Sequence, residues 1–340
     1  MNVIYCLAFL VVLQFSSCSD RPLQLPQSSA RPDSVQVQKR DNAVDANIVF
    51  RSTDGGQTWQ DISEGLPEPV KNKDGVGRSA SFADDNGLYL TAGNRIYYNK
   101  PNATAPFWTK EIYPDEHSSI SPGKTGIFAY NLGESGILHK TNGTSKWSPI
   151  YTNFQQKGIR SVFESAAGSI FIGADGGLFK STYNGKTWKQ VHTSGLAMKV
   201  VESTGVLMAI NSNGIIRSTD DGENWDWVIR EDRRGFSVDS IKGGFAVSFD
   251  KTESDARSVR TTYDGGKTWQ FIDAGLPASH SIFSIIQVGE NFFCGHPEGV
   301  FRSSDKGKTW KLLLPTVDGK AFILSVSGNV IYAVPRRGGC

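Results

Sequence analysis

The sequence has little methionine or cysteine, no excess of charge of one sign, and no long apolar segment. It contains 3 Met and 4 Cys in 340 residues, without a C-x-x-C pair or a His/Cys cluster, which argues against a zinc site. Its net charge is +2, from 36 basic and 34 acidic residues, so no overall field would attract nucleic acid. The apolar run at residues 3–15 is too short to cross a bilayer. We therefore predict no metal, no cofactor and no nucleic acid partner.

Glycine and aromatic residues are abundant instead. The chain has 36 Gly, 19 Phe, 10 Tyr and 8 Trp, a composition that favours many short strands and turns over helices. All-β folds of this length often form one domain. The composition therefore indicates a single all-β domain.

The octapeptide at residues 52–59, STDGGQTW, predicts a tight turn between two strands. Its aspartate, Asp54, can accept backbone N–H bonds within the turn, and its two glycines can adopt positive φ at little steric cost. The pattern occurs four more times, with Tyr183 in place of the aspartate in one copy: residues 181–188, 218–225, 262–269 and 303–310. Five copies in the same register indicate a repeat protein.

Seven tryptophans recur at a spacing typical of propeller blades. They are separated by 37 to 49 residues and leave only Trp227 outside the series: Trp59, Trp108, Trp147, Trp188, Trp225, Trp269 and Trp310. A period of about 42 residues accommodates four short strands with their turns. The turns before Trp108 and Trp147 have lost the full octapeptide. The sequence therefore predicts a seven-bladed β-propeller.

The two ends of the propeller are predicted to complete one blade together. The first blade begins at a third strand, residues 47–52, and the chain ends with two strands, residues 322–326 and 330–334. Pairing these ends gives a two-plus-two blade. Such a blade closes the ring and removes the exposed sheet edges that invite aggregation.

The octapeptides resemble the Asp-box, or BNR, repeat of the sialidase superfamily, S-x-D-x-G-x-T-W. This repeat also occurs in sortilin-type receptors, xyloglucanases and the photosystem II stability/assembly factor family. The resemblance implies a propeller whose ligands bind on the face opposite the boxes, but families with this repeat do not share one chemistry. We interpret the box residues as structural: Asp54, Asp220, Asp264, Asp305, Trp59, Trp188, Trp225, Trp269 and Trp310.

The face opposite the boxes carries the candidate binding residues. Residues 249–257 form a loop of mostly charged residues where the repeat has about three, and loops that outgrow their repeat often carry function. Residues 230–234 form the adjacent connector. We predict that this face, and this sector above all, contacts a partner through eight residues: Asp250, Lys251, Glu253, Asp255, Arg257, Arg233, Arg234 and His296. The alternative interpretation is a solvated loop without a partner.

Hydrolytic chemistry has less support in the sequence. In the resembled superfamily, an exo-sialidase carries its first arginine in an F/Y-R-I-P motif, whereas residues 47–52 run directly into the first box without that motif. Other glycoside hydrolases need two facing carboxylates. Weak catalytic candidates are Asp250, Glu253 and Asp255, with Asp175 and Glu298 as further acids on this face. Charges in solvated loops are again the alternative.

A basic residue precedes the box in most blades. This series could line a groove for an acidic partner, or it could lie on solvated strands with the apolar stems packed down, which is the interpretation we favour. The residues are Arg51, Lys140, Lys180, Arg217, Arg260 and Arg302.

The amino-terminal segment predicts export. Residues 1–17 resemble a signal peptide of the lipoprotein type, with Cys18 as the lipidation site and plain secretion as the alternative. Residues 18–45, rich in Pro, Gln, Ser and charge, predict a flexible tether before the propeller at residues 46–340. Cys294 is expected to be a buried free thiol, and a Cys294–Cys340 disulfide is the alternative.

These features together predict an exported, lipid-anchored, non-catalytic module that binds an envelope protein or a glycan. We expect it to be a monomer that faces the periplasm or lies at the outer membrane, and to contact the membrane only through its lipid anchor. The alternative function is a carbohydrate-active glycoside hydrolase of sialidase-like or xyloglucanase-like architecture.

Overall fold

The strands of this protein form seven sheets of four strands each. The structure is a computed structural model that describes residues 49–67, 81–92, 95–112, 119–131, 136–150, 158–193, 195–230, 237–250, 257–279, 282–317 and 321–336. The regular structure in these ranges is β-strand. The predicted signal peptide, Cys18, the tether and Cys340 lie outside the described residues.

The first two strands among the described residues are β1 (Phe50–Ser52) and β2 (Gln60–Asp61). Blade 1 contains β3 (Ser81–Asp84), β4 (Gly87–Ala92), β5 (Arg95–Asn99) and β6 (Thr109–Ile112). Blade 2 contains β7 (Ser119–Gly123), β8 (Gly126–Tyr130), β9 (Ile137–Thr141) and β10 (Trp147–Ile150). Blade 3 contains β11 (Ile159–Glu164), β12 (Ile170–Ala174), β13 (Gly177–Ser181) and β14 (Lys189–His192).

Blade 4 contains β15 (Ala197–Ser203), β16 (Val206–Asn211), β17 (Gly214–Ser218) and β18 (Asp226–Arg230). Blade 5 contains β19 (Ser237–Ile241), β20 (Gly244–Asp250), β21 (Arg257–Thr262) and β22 (Gln270–Phe271). Blade 6 contains β23 (Ser284–Val288), β24 (Asn291–His296), β25 (Gly299–Ser303) and β26 (Lys311–Pro315). The last strands are β27 (Ala321–Ser327) and β28 (Val330–Arg336).

Blade 7 is made from both ends of the propeller. Its strands follow the order β27, β28, β1, β2, with Phe50 opposite Ala333 and Arg51 opposite Tyr332. The first strand of each blade contacts the first strands of its two neighbours, and β27 contacts β3 to complete the ring. The predicted seven-bladed propeller and its two-plus-two closure are confirmed.

The apolar core lies between neighbouring blades. Because both faces of a blade contact a neighbour, middle strands such as Ile170–Ala174 and Gly177–Ser181 are buried at every residue. Phe293 of blade 6, for example, packs in one cluster with Phe50 and Phe322 of blade 7. Each fully buried side chain of this size contributes about 1.5–3 kcal/mol. The propeller is therefore stabilised mainly by contacts between its blades.

Candidate functional site

Four of the five box turns are each stabilised by one carboxylate that accepts several hydrogen bonds. In the first copy, Asp54 Oδ1 accepts from the backbone N of Gln57 at 2.9 Å and of Thr58 at 3.0 Å. Thr58 Oγ1 also donates to Asp54 Oδ2 at 2.6 Å. Burial acts to raise the pKa of Asp54, but hydrogen bonds from Thr58, Ser52 and Gln57 outweigh it and lower the pKa. The hydrogen-bonding capacity of this carboxylate is thus used inside its own turn.

Three further copies repeat this geometry. Asp220, Asp264 and Asp305 each accept from a backbone N four residues later, at 3.0, 2.9 and 2.9 Å. Hydrogen bonds within the turn lower the pKa of all three, that of Asp305 to about 2. In the copy without an aspartate, Ser181 still accepts from a glycine N of the turn, and Tyr183 is exposed. The four aspartates therefore accept hydrogen bonds within their own turns.

The box tryptophans bond in two different ways. Trp59 Nε1 donates to a glycine carbonyl of its own turn at 3.1 Å. Trp310 Nε1 instead donates to Ile272 O of the preceding blade at 2.8 Å, and Trp108 does the same to Ile62 O at 2.6 Å. Both acceptors begin an I-x-x-G-L-P segment that follows a two-residue outer strand: residues 62–67 and 272–277. This second repeat is visible in the sequence, although the octapeptide pattern alone does not predict it.

The basic residues directly before the boxes bind the neighbouring blade. Arg217 Nη1 of blade 4 donates to Gly265 O in the box of blade 5 at 2.9 Å. Arg302 Nη1 of blade 6 donates in the same way to Gly55 O in the box of blade 7, at 3.2 Å. In both cases the acceptor is the residue after the box aspartate.

At two more blade pairs, the basic residue before the box also bonds to the next blade, but with different acceptors. Lys180 of blade 3 pairs with Asp221 Oδ2 in the box of blade 4, at 3.2 Å. Arg51 of blade 7 donates to Pro101 O at 2.9 Å and to Ala103 O at 3.0 Å, both in the degenerate turn of blade 1. These residues therefore connect blades, which neither interpretation of the basic series predicted.

Arg260 does not belong to this series. Thr261 is the residue directly before the box of blade 5, and Arg260 pairs with Val247 one position earlier. Because side chains alternate along a strand, Arg260 points to the other face of the blade. There its Cζ lies 4.1 Å from the ring centroid of Phe249 and 4.4 Å from that of Phe271. The prediction that grouped Arg260 with the residues before the boxes is wrong by one position.

The predicted partner-binding sector is described only in part. Arg257 begins β21, where its N donates to Ser279 O at 2.7 Å and its Nη1 donates to Ile282 O at 3.3 Å. Asp250 ends β20 opposite Arg257. The remaining residues of the sector lie outside the described residues: Lys251, Glu253, Asp255, Arg233 and Arg234. Their contact with a partner stays a prediction.

His296 is buried at the end of β24, with 1% of its surface exposed. Its Nδ1 accepts from Glu298 N at 3.1 Å, and its Nε2 lies 3.2 Å from Pro277 O. These partners assign the neutral tautomer with Nε2–H as the donor, and burial lowers the pKa of His296. Asn211 holds the same place in blade 4 and accepts from Asn213 N at 3.0 Å. The imidazole therefore stabilises its loop and the connector beside it.

An accessible ion pair lies on the same face, on blade 3. Arg160 is the second residue of β11 and Asp175 directly follows β12, and Arg160 Nε lies 2.6 Å from Asp175 Oδ1. The side chains are 39% and 44% exposed. The two terminal nitrogens of Arg160 have no partner among the described residues. A Cβ on Gly158 would approach Asp175 Oδ2 to 2.2 Å, so a glycine there permits this arrangement.

The described part of the chain gives little support for a reactive cysteine, a metal site or a membrane-spanning helix. Cys294 is a fully buried free cysteine whose pKa is raised by burial, which confirms the predicted free thiol. No group of three or more His, Cys, Asp or Glu in the described ranges is arranged to hold a metal ion. Among these residues no helix is long and apolar enough to cross a membrane.

Comparison with known proteins identifies the repeat and the fold. Residues 119–245 match the DUF6242 beta propeller domain, and residues 50–61 match the BNR/Asp-box repeat. A probable oligoxyloglucan-reducing end-specific xyloglucanase of Neosartorya fischeri is 22% identical over 269 residues, which cover 76% of this chain and 26% of that protein. The chain thus spans about a quarter of the length of that relative.

Solved structures show the same architecture. YCF48 from Cyanidioschyzon merolae superposes with a TM-score of 0.54 at 16% identity, over 76% of this chain and 96% of that one. A GH74 enzyme of Niastella koreensis superposes with a TM-score of 0.51 at 13% identity, over 82% of this chain and 44% of that one. At these identities the likeness concerns the fold alone. The chain is a seven-bladed β-propeller built from BNR/Asp-box repeats.

Proposed function

We propose that this protein is a non-catalytic propeller that binds a protein or glycan partner through the face opposite its box turns. The observation that carries this proposal is the exposed pair of Arg160 and Asp175. The free edge of the guanidinium can donate two parallel hydrogen bonds to a carboxylate or to sugar hydroxyls. Asp175 Oδ2 can accept a hydrogen bond from the same partner.

The position of the ion pair favours a partner with an extended contact surface. Arg160 lies on a first strand, and the first strands of all seven blades form the central ring. A ligand held there can also reach loops of neighbouring blades, such as Ser212 and the exposed Asn213 of blade 4. The box face is less suited to this role, because its aspartates are bonded inside their own turns.

The proposal includes export and lipid anchoring at the cell envelope. Both rest on the sequence of the amino-terminal segment, with Cys18 as the lipidated residue and residues 18–45 as the tether. A tethered propeller would present its open face to other envelope proteins or to glycans. Mass spectrometry of the protein from membranes tests this part, since an unmodified Cys18 would contradict it.

Glycoside hydrolysis is the second candidate, favoured by the similarity to a xyloglucanase over most of this chain. It requires two carboxylates facing each other across a cleft. The candidate acids are those that the sequence predicts, Asp250, Glu253 and Asp255.

The first experiment compares binding and turnover with the same protein. The full chain is tested on a glycan array, on envelope-protein fractions and with fluorogenic glycosides. We expect binding without turnover, weakened about tenfold by Arg160→Gln or Asp175→Asn, because each removes one charge-assisted contact. Lys110→Gln, on an exposed outer strand of blade 1, is the matched control and should bind normally.

Two results would overturn the binding proposal. Turnover that disappears in Asp250→Asn, Glu253→Gln or Asp255→Asn would establish a hydrolase. Binding that survives both changes at the ion pair would move the binding site away from blade 3.

A further inference from the structure

One position recurs on the outer wall of every blade. It is the second residue of the outer strand, which pairs with the third-strand residue two places before the box turn. In blade 4 it is Trp227, opposite Ile216, and in blade 5 it is Phe271, opposite Arg260. The Trp227 ring lies 5.7 Å from the imidazole of His192 of blade 3, so this position lies where the groove between two blades opens to the outside.

Three consecutive blades place an apolar residue at this position, and the other four do not. Blades 4, 5 and 6 carry Trp227, Phe271 and Leu312, which we name the apolar rim. Phe271 is 62% exposed, Leu312 is 37% exposed and Trp227 is half-buried. The equivalent residues of blades 7, 1, 2 and 3 are Asp61, Lys110, Ser148 and Gln190. The apolar rim is therefore confined to one side of the ring.

A cation accompanies each residue of the apolar rim. Arg230 is exposed, with its Cζ 5.6 Å from the ring centroid of Trp227. Arg260 Cζ lies 4.4 Å from the ring centroid of Phe271. Lys311 is exposed and directly precedes the rim residue of blade 6. Each residue of the apolar rim thus has a basic residue on its own or the neighbouring strand, and in blade 4 the exposed Asp226 also precedes the rim residue.

We propose that the apolar rim binds a protein segment that carries carboxylates beside apolar side chains. Exposed aromatic residues backed by arginine are the side chains that most often dominate protein interfaces. The neighbouring cations select for carboxylates on the partner. Among the described strands, β18 and β26 pair on one side only, and an extended segment can add main-chain hydrogen bonds on the other side.

The curvature of the wall argues against a lipid surface as the occupant. Two blade steps around a seven-bladed ring turn the wall through about 100°. A flat membrane therefore cannot contact blades 4 and 6 together, whereas a flexible segment can follow the wall. The apolar rim lies on the side of the propeller and is independent of the proposed site on the open face.

The test uses the full chain and a library of random peptides displayed on phage. We expect the enriched peptides to combine Asp or Glu with apolar residues. Their affinity should fall about tenfold or more for the triple variant Trp227→Gln, Phe271→Gln, Leu312→Gln, which installs the residue that blade 3 has at this position. Arg230→Gln with Lys311→Gln should also weaken binding, and Lys110→Gln on the polar side of the ring should not.

Trp227 is half-buried, so the triple variant could lose binding because it misfolds. A second variant controls for this. Phe271→Gln with Leu312→Gln changes only exposed side chains and should still weaken binding severalfold. Unchanged peptide affinity in this double variant, or a selection that yields no acidic-apolar peptides, would overturn the proposal. Rim-dependent binding to vesicles of phosphatidylglycerol and phosphatidylethanolamine, or rim-dependent self-association, would also overturn it by assigning the surface to a membrane or to a second copy.

Discussion

Removing the bond from Arg302 to the first box tests whether the basic residues hold neighbouring blades together. Arg302 Nη1 donates to Gly55 O at 3.2 Å and so joins blade 6 to blade 7 across 247 residues of sequence. Methionine keeps an apolar stem in place but removes the charged donor. Such bonds contribute about 1.5–3 kcal/mol, and this one is long and only half-buried, so we expect Arg302→Met to lower the free energy of unfolding by about 1.5 kcal/mol.

The measurement is urea unfolding followed by tryptophan fluorescence, with calorimetry as a second method. For a domain of this size the expected decrease in Tm is about 2 °C. The control is Lys308→Met, which removes the same charge from an exposed residue of the blade 6 box that follows Arg302 and should change the free energy by less than about 0.5 kcal/mol. Equal losses in the two variants would refute the reasoning, because they would trace the effect to net charge alone.

Three further variants test the histidine, the boxes and the glycines. Burial lowers the pKa of His296, so the contribution of the neutral imidazole to stability should be complete above about pH 6.5 and should fall as the pH is lowered through that value. His296→Asn should flatten this part of the plot of unfolding free energy against pH. An unchanged slope would contradict the assignment. The pKa of Asp305 is lowered to about 2, so its contribution is present above about pH 4 and is lost as the pH falls towards 2, a slope that Asp305→Asn should reduce in acid unfolding. Gly56→Ala should lower the Tm more than Gly55→Ala does. Both glycines have positive φ, but only at Gly56 would the new Cβ meet Leu313 Cδ1, at 2.6 Å. Equal decreases in Tm would show that backbone strain alone matters.

The architecture could be predicted from the sequence because the repeat consists of residues with a strong preference for one local turn conformation. An Asp that accepts two backbone N–H bonds and a Gly at positive φ are recognisable one turn at a time. The spacing of the tryptophans then fixes the number of blades. The unpaired strands at both ends leave one way to complete the last sheet, and β1 does pair with β28.

The contacts between blades could not be predicted in the same way. Arg217 and Arg260 look equivalent in a list of basic residues, yet one position of register sends them to opposite faces. His296 looks like a surface residue beside a loop, and it is buried because its ring replaces an Asn-type acceptor at the end of β24. Arg217 and its acceptor Gly265 are 48 residues apart, and Trp108 and its acceptor Ile62 are 46 residues apart, so no local pattern joins donor and acceptor.

The sharing of blade 7 between both ends determines when this protein can fold. Strands β1 and β2 are synthesised before the other described strands, but β28, the sheet partner of β1, is the last strand in the described part of the chain. Until Val330–Arg336 is available, β1 has no inner neighbour and the ring cannot close. The ring therefore closes only after residues 330–336 have been synthesised. A chain truncated before β28 would keep six potential blades while exposing the edges of β1 and of the neighbouring grooves, which would make it a substrate for quality control.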